Sequence, residues 1–130
     1  MSNSFYQISL DERDRDKAAF LTRKGQWRFK RMPQGGAGSP AKFCRLMSLV
    51  LKGINGISCL CYIDDCVVLG KTFEQTCDNL EVVMDRFRNT NLKLKPSKCR
   101  LFNKRIAFLG FTASQAGIEI SSSKPLVFEK

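Results

Sequence analysis

Two adjacent carboxylates, Asp64 and Asp65, are the residues of this sequence that could most readily do chemistry. They interrupt a segment, residues 57–69, that is otherwise β-branched and apolar. Neighbouring carboxylates repel each other unless a cation or a basic group compensates, and Mg²⁺ prefers such hard oxygen ligands. Adjacent side chains on a strand point to opposite faces, so both acids can reach one site only where the chain turns. Because Asp is common in ordinary turns, the pair by itself is only a weak signal for a magnesium site.

The elements that would position the acids follow from the apolar pattern. Residues 57–69 are predicted to form a hairpin of two buried strands with the acids at its tip. Apolar residues at three- and four-residue intervals predict two core-facing helices, residues 41–54 and 73–90. Ser39 could cap the first helix, and a T-x-x-Q capping box at Thr72 opens the second.

The remaining elements are predicted to be short and mostly extended. Residues 11–17 are densely charged and suit a surface turn of helix. The other predicted elements are a strand over residues 5–10, a hairpin within residues 18–31, strands over residues 92–102 and 106–112, and a last hairpin turn at Ala116-Gly117.

The composition predicts one soluble domain with an affinity for polyanions. The chain has 130 residues, with 22 Lys and Arg against 12 Asp and Glu, a formal charge of +10. Nucleic acid is the leading class of partner, although the excess charge also suits a protein that only stays soluble. No apolar run approaches the roughly 18 residues of a membrane-spanning helix, and no signal-peptide pattern opens the chain. These features predict an intracellular protein, cytoplasmic or nuclear, with no membrane partner.

A run of basic residues without an intervening acid lies between residues 93 and 105. It suits either a solvated strand edge, where lysine discourages pairing between sheets, or a track for nucleic-acid phosphates. As a track it would bind RNA or DNA weakly and without sequence preference. Its members are Lys93, Lys95, Lys98, Arg100, Lys104 and Arg105.

The six cysteines are predicted to be reduced, buried thiols rather than metal ligands. They include no C-x-x-C pair, the sequence contains no histidine, and several cysteines lie inside apolar runs. Structural zinc sites usually show closely paired Cys ligands, which this chain lacks.

Several short motifs, in a fixed order, resemble the palm of reverse transcriptases from gypsy-class long-terminal-repeat retrotransposons. Tyr62-Ile63-Asp64-Asp65 resembles the YxDD box, and residues 32–40 resemble the upstream [LM]-P-Q-G-x-x-x-[SA]-P box. Similar boxes extend the resemblance over about residues 4–120. They include Phe5-Tyr6-Gln7-Ile8, Ala19-Phe20, Lys71-Thr72-Phe73-Glu74, Leu92-Lys93-Leu94 and Phe108-Leu109-Gly110.

The resemblance implies a fold. That fold is α/β (α+β), a polymerase palm-like antiparallel sheet that carries the acids and is backed by two helices. The palm domain would cover residues 1–120, and residues 121–130 would form a loosely ordered tail.

The resemblance also implies roles for single residues. Asp64 and Asp65 would be the catalytic, metal-holding pair, and Phe5 would be the aromatic gate against a ribose 2′-OH. The incoming nucleotide would lie under Gln34 and Gly35. Two further segments would contact nucleic acid: the lysine-bearing fourth box, which holds Lys98, and the primer grip at Leu109-Gly110.

In the same family the first metal-binding aspartate stands five residues before the gate aromatic, which here is directly before Met1. A chain that begins at Met1 is expected to lack this ligand. Asp11, on the order of 20 Å farther along a strand, could not replace it. Without the ligand the two-metal clamp would be lost, so Mg²⁺ would bind weakly at most and no cofactor would be required.

Three functions are therefore weighed. The favoured one is a domesticated palm remnant, a pseudoenzyme that acts as a protein- or RNA-binding scaffold. A protein partner or a homo-oligomer would then cover the apolar surface that fingers and thumb normally cover. The alternative is a fragment of an active RNA-directed DNA polymerase, with Mg²⁺ as cofactor once its site is complete. The third is a basic nucleic-acid-binding domain unrelated to polymerases.

Overall fold

The computed structural model describes residues 1, 3–114 and 116–121, and the chain divides into two compact units, Met1–Pro96 and Ser97–Lys130. The described strands pair only with antiparallel neighbours, and α-helices accompany them in the first unit. The predicted class, α/β with antiparallel pairing, is confirmed. The described strands form three small sheets, however, rather than the single sheet that was expected.

The first unit begins with a 3₁₀ turn, Ser4–Gln7, where a strand was predicted over residues 5–10. The turn closes on itself, because the Ile8 amide donates to the Phe5 carbonyl (3.1 Å). Only the end of the predicted strand is extended, through a bridge between Ser9 and Arg31. The strand prediction was wrong for residues 4–7, which form this turn and bond through their side chains to distant residues, Ser4 to Asp64 and Gln7 to Lys93.

A short helix and a hairpin follow, as predicted. α1 spans Glu12–Arg15 and continues as a 3₁₀ turn, Asp16–Ala18. β1 (Ala19–Thr22) and β2 (Gly25–Arg28) then pair antiparallel. Gly25 has a φ of 123°, a conformation that glycine adopts without steric cost, so it is the residue that closes this hairpin.

α2 (Ser39–Val50) supplies much of the core of the first unit. Phe43, Met47 and Val50 recur at intervals of three or four residues and are buried, as the amphipathic pattern predicted. The fully buried ring of Phe43 meets the ring of Phe5 edge to face, with centroids 5.5 Å apart. This contact joins the first residues of the chain to α2.

Ser39 does not cap α2, contrary to expectation. The N-cap residue is Gly38, and Ser39 already lies in the first turn of the helix. Its hydroxyl instead donates to the Pro33 carbonyl (3.1 Å). The predicted cap was therefore displaced by one residue. The hydrogen bond from Ser39 instead connects α2 to the glycine-rich loop, residues 33–38.

β3 (Cys59–Tyr62) and β4 (Asp65–Val68) form the predicted hairpin with the acids at its tip. One face packs on the core, where Cys59 is buried, while Leu60 is exposed on the other face. The prediction of two buried strands was therefore wrong for one face. A two-stranded ribbon covered on a single side accounts for this alternation.

α3 (Phe73–Asn89) begins at the predicted capping box, where Thr72 Oγ1 accepts a hydrogen bond from the Gln75 amide (3.1 Å). Val83 and Phe87 are its buried residues and join the core formed by α2. The helix predicted for this segment is confirmed, but Phe73, the first residue of its predicted core-facing stripe, is 63% exposed.

Gly70 lies where the chain passes closest to the start of α3. A Cβ atom at this position would lie 2.7 Å from the backbone nitrogen of Thr76. Backbone cannot move aside as a flexible side chain can, so glycine is the residue that fits between β4 and α3.

Residues 92–102 are not a strand, contrary to prediction. Leu92 and Leu94 pack against the core of the first unit, and the chain then makes a 3₁₀ turn, Pro96–Lys98. Proline has no N–H to donate to a strand ladder, which is the signal that the strand prediction overlooked.

The second unit contains an antiparallel meander of β5 (Arg105–Phe108), β6 (Phe111–Ser114) and β7 (Gly117–Ile120). The single strand predicted over residues 106–112 is instead a hairpin that reverses at residues 109–110. The last predicted hairpin turn is confirmed, since Ser114 and Gly117 are paired on either side of it.

The turn between β5 and β6 explains why one strand was predicted there. Leu109 and Gly110 both have positive φ, 53° and 83°, as a type I′ hairpin turn requires. Leucine rarely adopts this conformation, so only the glycine hinted at a reversal.

The predicted boundary at residue 120 and the predicted tail remain predictions, because residues 122–130 lie outside the described residues. Within the described part of the chain, no helix is long and apolar enough to cross a membrane.

Candidate active site

The turn that carries the acids is a two-residue hairpin loop. Tyr62 pairs with Asp65 across the hairpin, which leaves Ile63 and Asp64 as the loop residues. Ile63 has a φ of 54°, a conformation that β-branched residues avoid. Such strain costs on the order of 1–3 kcal/mol, persists only when the surroundings enforce it, and concentrates at functional sites.

The two acids have different surroundings. Asp64 is half-buried, and its Oδ2 atom accepts a hydrogen bond from the hydroxyl of Ser4 (3.3 Å), which is only 4% exposed. Asp65 is exposed at the start of β4. Among the described residues, neither carboxylate forms an ion pair with a Lys or Arg. Within the described residues, no Lys or Arg side chain therefore balances these two adjacent carboxylates.

This donor set fits a hard divalent cation in part. Carboxylate oxygens are the ligands that Mg²⁺ prefers, and the turn brings the two acids together at the hairpin tip. Bound there, Mg²⁺ would neutralise the two charges and polarise a phosphoryl oxygen. Within the described residues, no third His, Cys, Asp or Glu joins the pair to make a metal-binding group. These residues thus offer two protein ligands, and others must come from substrate, water or further protein.

The amino group of Met1 lies beside the acids, 3.4 Å from the carbonyl oxygen of Asp64. A residue joined to Met1 in a longer chain would therefore emerge next to the acid pair. The resemblance described above expects an aspartate at this position, and its part in the site stays a prediction.

The residues expected to contact a nucleotide lie in two different environments. Phe5 follows Ser4 in the 3₁₀ turn and is half-buried against Phe43, so it is held next to the acid pair. Gln34 and Gly35 are exposed in the loop before α2, and Gly35 has a φ of 85°. Their positions leave them accessible, and their contact with a nucleotide stays a prediction.

Three cysteines, Cys59, Cys61 and Cys66, lie on the strands that flank the acids, and none of these three is in a disulfide. A hydrogen bond from Cys66 lowers the pKa of Cys61, and the same bond together with burial raises the pKa of Cys66. Burial raises the pKa of Cys59. Cys61 is therefore the most acidic of the three thiols.

The predicted basic run does not form one strand. The side-chain amide of Gln7 is clamped to the backbone of Lys93, accepting from its N–H (2.6 Å) and donating to its carbonyl (3.0 Å). The guanidinium of Arg105 is paired with Glu119 (2.7 Å). The remaining members are exposed: Lys95, Lys98, Arg100 and Lys104.

The predicted primer-grip residues, Leu109 and Gly110, occupy the tight β5–β6 turn of the second unit. Leu109 is 47% exposed, and the Gly110 carbonyl accepts from the Ser121 amide (2.9 Å). The turn presents an apolar side chain to solvent, and its contact with nucleic acid stays a prediction.

Two residues of the site were missed by the sequence analysis. Ser4 was treated as outside any motif, and Ile63 was read only as the variable position of the YxDD-like box. The signal for Ser4 was its place next to Phe5. Nothing in the residue type of Ile63 indicated its positive φ.

Comparison with known proteins accounts for this arrangement. Residues 1–113 match the family model described as reverse transcriptase (RNA-dependent DNA polymerase). The Pol polyprotein of Drosophila melanogaster transposon 412 is 37% identical over 118 residues, which cover 91% of this chain and 10% of that polyprotein. The Pol polyprotein of Drosophila melanogaster transposon gypsy is 27% identical over 124 residues, covering 95% of this chain and 12% of the polyprotein. The chain spans about a tenth of the length of these relatives.

Solved structures show the same fold. The foamy viral protease-reverse transcriptase in complex with dsDNA has a TM-score of 0.83 at 28% identity, covering 95% of this chain and 25% of that one. The same enzyme in complex with an RNA/DNA hybrid has a TM-score of 0.82 at 27% identity, covering 95% of this chain and 16% of that one. The resemblance to the reverse transcriptase palm of retrotransposons is thus confirmed, and the chain belongs to the reverse transcriptase family.

Proposed function

We propose that this chain is the palm portion of a retrotransposon RNA-directed DNA polymerase, in which Asp64 and Asp65 hold catalytic Mg²⁺. The observation that carries the proposal is the strained two-residue turn, which places both acids at the hairpin tip, where no Lys or Arg among the described residues pairs with them. The positive φ of Ile63 costs conformational energy, so the turn persists only because the surrounding structure enforces it.

The chain's own residues would act mainly by positioning. Ser4 donates to Asp64 Oδ2 and so orients that carboxylate, leaving its other oxygen for a ligand. Phe5 is fixed on Phe43 next to this contact, where its half-exposed ring could meet a sugar. Phosphoryl transfer by polymerases consists largely of such positioning and charge stabilisation, so these contacts are the ones that matter.

This chain alone is expected not to extend a primer, because its described residues bring only two carboxylates together and two-metal transfer needs more ligands. The test is incorporation on primed templates with Mg²⁺ or Mn²⁺. Incorporation that Asp64→Asn abolishes would overturn this expectation and show that two acids suffice.

Metal binding tests the site itself, with Mn²⁺ as the probe and electron paramagnetic resonance as the readout. Asp64→Asn and Asp65→Asn should each weaken Mn²⁺ binding, whereas Asp78→Asn, an exposed acid of α3, should leave it unchanged. An aspartate joined before Met1 should strengthen binding relative to an asparagine there, since Met1 lies beside Asp64. Equal binding by all these chains would refute the assignment.

A second candidate is the pseudoenzyme scaffold, which a different observation favours. The β1–β2 hairpin exposes large apolar side chains, with Leu21 82% and Trp27 55% exposed. Exposed apolar patches commonly mark an interface, here with another protein, a second copy or RNA. Light scattering tests whether a second copy of the chain covers this surface, because it distinguishes an oligomer from a monomer. Concentration-dependent oligomers that Trp27→Ser disperses would support it, and a monomer at high concentration would argue against it.

A further inference from the structure

We propose that Cys61 and Cys66 form a dithiol that oxidises to an intramolecular disulfide, cross-linking β3 to β4 next to the acid-bearing turn. The proposal concerns a modification site and does not depend on metal binding.

The register places the two cysteines directly opposite each other. Cys61 pairs with Cys66, one step behind the Tyr62–Asp65 pair that closes the loop. In a two-residue hairpin the closing pair exchanges both hydrogen bonds, so the next pair is a non-hydrogen-bonded one. The Cys61 amide agrees, because it donates away from β4 to Asn55 Oδ1 (3.1 Å).

A non-hydrogen-bonded pair has the separation that a disulfide needs. Its Cα atoms lie about 4.5 Å apart, within the range of about 4.4–6.8 Å found for disulfides. The two side chains also leave the same face of the hairpin, because residues paired directly across two strands point to the same side. Both residues are half-buried, so a small oxidant can reach them.

The neighbouring thiols are less suitable partners. Cys59 lies two residues before Cys61 on the same face, but it is fully buried and sits opposite Val68. Cys44 on α2 shares with Cys61 a small cavity of about 70 Å³. It approaches from another element, without the fixed register of a strand pair.

The oxidant is a low-molecular-weight disulfide, RSSR. The Cys61 thiolate attacks one sulfur of RSSR, which forms a mixed disulfide and releases RS⁻. Cys66 loses its proton to solvent and attacks the Cys61 sulfur, which expels the second RS⁻. The two cysteines lose two electrons and two protons in total, and RSSR is reduced to two RSH.

The test uses the full chain with excess oxidised glutathione, followed by alkylation, intact mass measurement and peptide mapping. The expected product has two hydrogen atoms fewer than the reduced chain and carries no glutathione on Cys61 or Cys66. Peptide mapping should yield a cross-linked Cys61–Cys66 peptide. Cys66→Ser should leave glutathione on Cys61, because the resolving thiol is gone. Cys77→Ser, which removes a half-buried thiol of α3, should close like the parent chain.

Two further readouts make the test decisive. In urea the preference for Cys61–Cys66 should disappear, since the register creates it. In the oxidised folded chain, amides of β3 and β4 should exchange roughly 40-fold more slowly, the chain-entropy effect of closing so short a loop. A Cys44–Cys61 or Cys59–Cys61 link, glutathione that persists on Cys61 of the parent chain, or no reaction at either thiol would each overturn the proposal.

Discussion

Replacing Phe43 with leucine should loosen the first residues of the chain more than it loosens the rest of the unit. Phe43 is fully buried, and its ring holds the ring of Phe5 at 5.5 Å. Leucine keeps most of the buried apolar area but cannot make an edge-to-face contact. That contact contributes about 0.5–1.5 kcal/mol beyond area burial, and the change of shape costs under about 1.5 kcal/mol more.

These magnitudes give two separate expectations. The free energy of unfolding should fall by about 1–3 kcal/mol, against the roughly 5–15 kcal/mol that stabilises an ordinary domain. Local opening of the Ser4–Gln7 turn should become about 2- to 12-fold more frequent, the factor that corresponds to the lost ring contact. The amide of Ile8, which donates to the Phe5 carbonyl, reports that opening by hydrogen exchange.

Phe87→Leu is the matched control, because Phe87 is also buried in the core but lies on α3. It should lower the unfolding free energy, measured in urea, by under about 1.5 kcal/mol, the cost of the change of shape, while leaving the local opening at Ile8 unchanged. If the Ile8 amide exchanges equally fast in both variants after correction for global unfolding, the ring contact does not hold the turn. The reasoning that connects Phe43 to the acid pair through Phe5 and Ser4 would then fail.

Three further predictions concern other parts of the molecule. Gly70→Ala should lower the free energy of unfolding of the first unit, measured in urea, by about 1–3 kcal/mol, because the new Cβ would lie 2.7 Å from backbone. Gly38→Ala is the control and should cost less than half as much, because the space around Gly38 is open. Leu109→Asn should stabilise the β5–β6 hairpin by about 1 kcal/mol, because Asn tolerates the φ of 53°. Slower amide hydrogen exchange in β5 would support this prediction, and unchanged exchange would contradict it. Arg100→Ala should weaken RNA binding in a fluorescence titration and reduce the slope of log affinity against log salt concentration by roughly 0.7. Arg105→Ala should change the affinity and the slope less, because its guanidinium is already paired with Glu119. Equal effects of the two substitutions would show that this ion pair opens on binding.

The local patterns were sufficient to predict the elements around the acids. The intervals of Phe43, Met47 and Val50 specified α2, and the Thr72 capping box specified the start of α3, because both signals act within a few residues. The acids at a hairpin tip were also predictable, since an apolar segment interrupted by two charges has few other arrangements. These are the parts of the fold that short-range physics decides.

Long-range contacts decide the parts that were not predicted. The first residues read as a strand, yet their conformation is set by Ser4 bonding to Asp64 and by Gln7 clamping Lys93. The segment after α3 also read as a strand, because its alternating lysines matched the pattern and Pro96 was given too little weight. Ile63 shows the same limit, since neither residue type nor spacing encodes a strained turn that its surroundings impose.

The contacts that hold the first turn also set the order in which the molecule can assemble. Ser4 bonds to a residue 60 positions later, and Gln7 bonds to one 86 positions later. Closing such long loops is slow compared with forming a helix or a hairpin, so the first residues dock after the local elements exist. During synthesis they must wait until residue 93 has left the ribosome. The acid pair thus acquires its serine partner late in folding, although that partner precedes Asp64 by 60 residues in the chain.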